Sequence, residues 1–226
     1  MATYTFTLLI DSKVLAIPSP DNFCIAKKVD GKFTTVFQDA SVQPSRDGQK
    51  TLITKNEFKW TDKYRIFATA TYEHGLLVAS ATNNVVIAFG QKTIYDKNIF
   101  GDAATAALGE FSRASGPQSH EDSFLVNNIP SVLHAAVECE VGGAWAPIYV
   151  DPNAHLSTIN KQLTPMNEYM LFWDSMVQTD SMIDQSRYAF PYTFSFPAGS
   201  TSKTIRFGYA TPDKPTAGEP AKFYPM

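Results

Sequence analysis

TYTFTLLI, residues 3–10, alternates Tyr4, Phe6 and Leu8 with Thr3, Thr5 and Thr7. Side chains of an extended chain point to opposite faces in turn, so this spacing makes one apolar face and one wet face, the pattern of a half-buried strand. The period of two recurs outward from there. NFCIAKKV (22–29) and KFTTVFQD (32–39) flank Asp30-Gly31, a pairing that predicts a tight hairpin. YRIFATATY (64–72), LLVASA (76–81) and VVIAFG (85–90) are separated by Glu73-His74-Gly75 and Thr82-Asn83-Asn84, which predicts a meander. Further apolar runs follow at 123–128, 131–141, 145–150, 187–196 and 203–210, with Gly142-Gly143 joining the second and third.

Strand-length runs punctuated by turn residues are the signature of sandwiches and barrels. We therefore expect an all-β fold: an antiparallel β-sandwich with Greek-key or meander connections, as a single domain over residues 1–226. The alanine-rich GDAATAALGEF (101–111) is expected to form a short helical insertion near 102–111, with Asp102 as N-cap. Residues 40–56, 112–122 and 151–165 read as loops. The tail 211–226 holds four of the fourteen prolines and is expected to be irregular, with Phe223–Met226 docking on the body.

Composition agrees with a β fold. The chain is 44% hydrophobic and 13% aromatic but only 18% charged, below the usual quarter or so of a soluble domain. Thr, Ser, Asn and aromatics take the place of charge, and β-branched and aromatic side chains suit a pleated surface. Net charge is -3, and the densest basic spot is Lys27-Lys28. That argues against nucleic acid, which needs a basic stripe to neutralise phosphates. MATYTFTLLID has no cationic start, and its apolar run stops at Asp11, so it reads as neither a signal peptide nor a membrane span. Cys24 and Cys139 read as two buried thiols, and the expected compartment is cytoplasmic.

EYMLFWDSM (168–176) is apolar on both sides: Tyr169, Leu171 and Trp173 share one face, Met170, Phe172, Asp174 and Met176 the other. Such a strand is covered on both faces, either by core or, on one face, by a ligand that Asp174 anchors. Core is the simpler reading. The chain contains no nucleophile elbow, phosphate-binding loop, dinucleotide fingerprint or paired-cysteine motif. Glu138-Cys139-Glu140 is the wrong electrostatic setting for a reactive thiol. His74, His120, His134 and His155 show no zinc spacing, so neither metal nor cofactor is expected.

Aromatic rings beside polar groups leave carbohydrate binding as the most adaptable reading. Tyr72 and His74 at a turn, Trp145 and Trp173 are its candidate ligand-binding residues, beside Asp174, the anchor of the opposite face of its strand. Trp60 is a further platform, although any single tryptophan is more simply a packing residue.

The phrases NFCIAKKVDGKFTTVFQD, FKWTDKYRIFATATY, FGQKTIYD, APIYVDP and MLFWDSM, spread over most of the chain, resemble small cytosolic β-rich proteins of mushroom-forming fungi. The resemblance implies an intracellular β protein, in a setting rich in defence lectins and toxins, and transfers no site residue. The leading expectation is a non-enzymatic, ligand-binding, lectin-like defence protein, homo-oligomeric, with a glycan or small molecule as partner. A membrane-active toxin-like protein is the second reading. An enzyme acting on a small hydrophobic compound in an aromatic pocket is the third.

Overall fold

A computed structural model describes residues 1–19, 21–42, 50–96, 109–116, 121–153, 160–188 and 191–226. Its first strand, β1 (Thr3–Ile10), buries Phe6, Leu8 and Ile10 as the alternation requires. The chain then makes one helical turn, α1 (Ser12–Leu15), and enters β2 (Asn22–Val29). Asp30 and Gly31 both take positive φ (49° and 76°), as a two-residue hairpin with strand-like twist demands. Val29 and Lys32 exchange both backbone hydrogen bonds across it. The return strand swells through Phe33–Phe37 before β3 (Gln38–Ser41) pairs with Asn22–Ile25.

The 15-residue β4 (Lys55–Thr69) is the spine of the molecule. One of its edges pairs first with β1 and then with β5 (Val85–Ile87); the other pairs with β9 (His134–Val141). β9 turns through Gly142-Gly143, both at positive φ, into β10 (Ala144–Val150). β14 (Ser202–Gly208) lies parallel to β1 and carries β15 (Lys222–Pro225) on its far side, which completes a seven-stranded sheet.

Two four-stranded sheets pack over it. One is β13 (Tyr192–Phe194), β12 (Pro165–Asp174), β2 and β3; the other is β11 (Lys161–Leu163), β8 (Phe124–Asn127), β6 (Lys92–Asp96) and β7 (Glu110–Phe111). The chain crosses between layers repeatedly, so half of the described strand pairings, among them β1–β14, β2–β12 and β4–β9, are not between sequence neighbours. Antiparallel pairing dominates, with β1–β14 and β6–β8 the parallel pairs among the described strands.

The all-β expectation holds. The 64–90 meander needs correction: LLVASA makes only an isolated bridge, Leu77 to Ser181, and β5 pairs directly with β4. The expected helical insertion lies mostly outside the described residues; at its end, Glu110–Phe111 is a strand. The tail docks as expected but is more regular than expected, since Lys222–Pro225 pairs with β14 and Phe223 packs on Phe207, 4.7 Å between centroids.

The main core runs from Phe6 to Ile205 and joins side chains of all three sheets. Aromatic rings fill much of it: Phe6 against Phe23 and Phe194, Trp60 against Tyr169, and Tyr64 against Phe124. β12 is covered on both faces. Tyr169 and Leu171 enter the main core, while Met170 and Phe172 join a second cluster closed by Phe33, Val36, Val177, Ile183 and Tyr188. The core reading of that strand is correct, and protein covers the Met170–Phe172 face.

Candidate functional site

Where the layers part at one end of the sandwich, they leave a cavity of about 300 Å³ lined by Val14, Ile17, Ser19, Asp21, Val42, Trp173 and Phe207. Each wall follows from local structure. Phe207 comes from β14 and Trp173 from β12, and their rings meet at 5.2 Å. Trp173 is held edge-on by Phe23 of β2. Val14 and Ile17, three apart, share one side of the turn that begins as α1 and form the roof. Ile17 is 54% exposed, so the roof is thin.

That roof is fixed from below. Asp11 is buried at the start of α1 and takes two hydrogen bonds from Arg206 Nη1, at 3.0 and 2.9 Å, and others from the N–H groups of Tyr209 and Asp213. Burial pushes the Asp11 carboxyl up, but the Tyr209 N–H, the Arg206 guanidinium and the Asp213 N–H outweigh it and hold it below its ordinary value. Asp213 in turn accepts from Ser12 Oγ at 2.9 Å. Gly208 makes room for this: a Cβ there would lie 2.2 Å from Asp11 Cγ.

The polar groups of the cavity are Ser19 and Asp21. Ser19 Oγ donates to Asp21 Oδ2 at 3.1 Å and accepts from the Asp21 N–H at 3.2 Å. Asp21 is the sole titratable side chain among the described lining residues. Trp173 Nε1 is buried with no hydrogen-bond partner among the described residues, so the indole meets the cavity through its carbon framework.

The other sequence-picked residues lie elsewhere. Asp174, one residue from Trp173, faces the opposite side and accepts from the Tyr188 hydroxyl at 2.8 Å and the Met176 N–H at 2.6 Å. The Tyr72 hydroxyl donates to Ile183 O at 2.6 Å, and its ring packs on a small cluster of Phe67, Ala136, Val150 and Met182. Burial, and then the Asp184 charge, push the Tyr72 phenol up to about 12. His74 Nδ1 accepts from the Asp184 N–H at 3.1 Å. Tyr72 and His74 thus tie the 70–78 loop to residues 182–188. Trp145 stands apart near the β9–β10 turn, with the Arg65 guanidinium 4.2 Å from its ring centroid and Lys63 Nζ at 5.2 Å. Trp60 is fully buried. A smaller cavity of about 190 Å³ does border the 70–78 loop, lined by Gly75 and Leu77 with Asn22, Ser175–Gln178 and Ser181.

Sequence reading missed the most unusual buried group. Lys27 lies on the same face of β2 as Phe23 and Ile25 and is only 2% exposed. Its Nζ donates to Asp62 Oδ1 at 2.9 Å, Tyr64 Oη at 3.2 Å and Tyr169 Oη at 3.3 Å. Burial pushes the ammonium pKa down, but the Tyr64 and Tyr169 oxygens and the Asp62 carboxylate push it further up. Burial raises both phenols, so they are protonated at neutral pH and Asp62 supplies the opposing charge. A lysine held this firmly as a cation is not a nucleophile. The strand alternation of β2 was the signal that could have found it.

Cys24 and Cys139 are buried and unpaired with each other. Burial raises both thiols, Cys139 to about 12, which makes them inert. Among the described residues, no group of three or more His, Cys, Asp or Glu side chains is placed to hold a metal ion, and no helix is long and apolar enough to cross a membrane. No protein-family model, curated protein or solved structure matches the chain, so its own side chains carry the functional reading.

Proposed function

We propose that this protein is a non-enzymatic binder of a small molecule with an apolar body, held in the Trp173–Phe207 cavity. The observation that carries this reading is the wall chemistry: five of the seven described lining residues are apolar, two of them aromatic, and Ser19 and Asp21 sit together as one polar anchor. Ligand sites are mostly apolar, with a few placed polar groups. A lone carboxylate without a second acid or base suits anchoring better than proton transfer, which favours binding over catalysis.

Size sets the ligand class. At the ~30 Å³ a water-sized group takes in a liquid, the cavity admits about ten non-hydrogen atoms. At about 0.5 kcal/mol per atom, such a ligand binds with about 5 kcal/mol, a sub-millimolar Kd. Calorimetric titration with benzyl alcohol tests this. Saturable binding to the wild type, lost in Val14→Phe where the new ring fills the cavity, supports the reading; no heat in the wild type sinks it.

A carbohydrate reading has one observation in its favour: the smaller cavity presents Asn22, Gln178, Ser175 and Ser181. None of its described lining residues is aromatic, so a sugar there would lack a stacking platform. A glycan array without signal would remove this second reading.

A further inference from the structure

We infer that the ligand of the Trp173–Phe207 cavity is a small organic cation, a protonated amine on an apolar body; the inference rests on the proposed binding site and assigns its charge. Two observations converge. The one charged group among the described lining residues is the Asp21 carboxylate, and among the described residues no basic side chain forms an ion pair with it. Two aromatic rings stand in the same cavity, and ring faces attract cations while repelling anions.

Asp174 and Asp39 do not add to the Asp21 charge: they align with Asn22 and Cys24 and so lie on the other face of the sheet from Trp173 and Phe23. Lys13, the basic residue of α1, is exposed. An anionic ligand would be repelled by the Asp21 carboxylate, and a neutral one would leave it without a charged partner.

The geometry gives each part of such a ligand a place. The ammonium hydrogen-bonds Asp21, as Ser19 already does from the protein side. The apolar body lies against Trp173 and Phe207 under Val14 and Ile17. A charge-assisted hydrogen bond at a half-buried carboxylate favours the cation by about tenfold over a neutral molecule of the same shape.

The test uses benzylamine, benzyl alcohol and phenylacetate with the full chain at neutral pH, by calorimetry. Benzylamine is expected to bind about tenfold more tightly than benzyl alcohol, and phenylacetate not measurably. Added salt should weaken the amine and leave the alcohol unchanged. In Asp21→Asn, amine and alcohol should bind alike. Equal affinity of alcohol and amine in the wild type, or preference for phenylacetate, overturns the charge assignment while the cavity stands as a binding site. Failure of all three to bind overturns the cavity reading along with it. The wild-type comparison stands even if a variant folds poorly.

Discussion

Replacing Asp62 by alanine removes the counter-charge of a lysine buried in aromatic core. Lys27 then keeps only the hydroxyls of Tyr64 and Tyr169, at 3.2 and 3.3 Å, and three tyrosine rings at 5.3–5.9 Å. Breaking a fully buried pair from one side costs about 3–5 kcal/mol. Two features reduce that here. The Asp62 side chain is 21% exposed, so water can enter where it stood. The rings return about 1 kcal/mol of cation–π attraction.

We expect a net loss of about 2–3 kcal/mol, part of it from the Tyr64 hydroxyl, which loses its acceptor at 2.6 Å. With a urea slope of about 2–3 kcal/mol/M, the denaturation midpoint falls by about 1 M. Lys27→Met fills the same space without charge, and Asp62 remains hydrated in that variant, so its cost is smaller. The double variant should cost about 2 kcal/mol less than the sum of the singles, because the stranded cation is gone. A midpoint change below about 0.3 M for Asp62→Ala, or strict additivity in the double variant, would refute this account of the buried lysine.

Two further predictions concern Gly208 and Asp180. Gly208→Ala forces a Cβ into Asp11, 2.2 Å from its carboxyl carbon, and should cost about 2–3 kcal/mol of stability and loosen the α1 roof, measured by urea denaturation and by weakened benzyl alcohol binding. Asp180, at φ 70° with one buried oxygen lacking a partner among the described residues, is pushed up to about 6 by burial, then by Glu138 and Asp39. An acid raised on folding stabilises the fold below its unfolded value near 3.8, and this stabilisation is lost as pH rises through about 6. Asp180→Asn, which tolerates the positive φ, should therefore be more stable than wild type at pH 7.5 by about 1 kcal/mol, after discounting for solvent, with the advantage gone near pH 4. Equal urea midpoints at pH 7.5 would count against it.

What the sequence disclosed was local. The alternation of β1, the positive-φ turns at Asp30-Gly31 and Gly142-Gly143, and the two-sided apolar character of β12 each depend on a few adjacent residues, and each stands as read. What it hid was non-local. The parallel pairing of β1 with β14 joins residues about two hundred positions apart, which no window of sequence reveals. LLVASA has strand composition, but β5 takes the free edge of β4 that it would need.

The site was half legible for the same reason. Trp173 was picked out as a ring platform, while Asp174 was read as the anchor of the opposite face, which protein covers instead. The carboxylate that shares the cavity with Trp173 is Asp21, which arrives from the start of another strand. Lys27 reads as half of a basic pair until the face of β2 it occupies is counted from Phe23 and Ile25.

The most direct test of the binding site is the indole N–H spectrum of the protein, which contains three tryptophans. Titrated with benzylamine and followed by ¹H–¹⁵N and ¹H–¹³C correlation spectra, the Trp173 indole signal should move saturably, with the methyl signals of Val14, Ile17 and Val42, while the Trp60 and Trp145 indoles stay in place. A Trp173 signal that does not move at millimolar ligand, or a shift confined to Trp145, would contradict it.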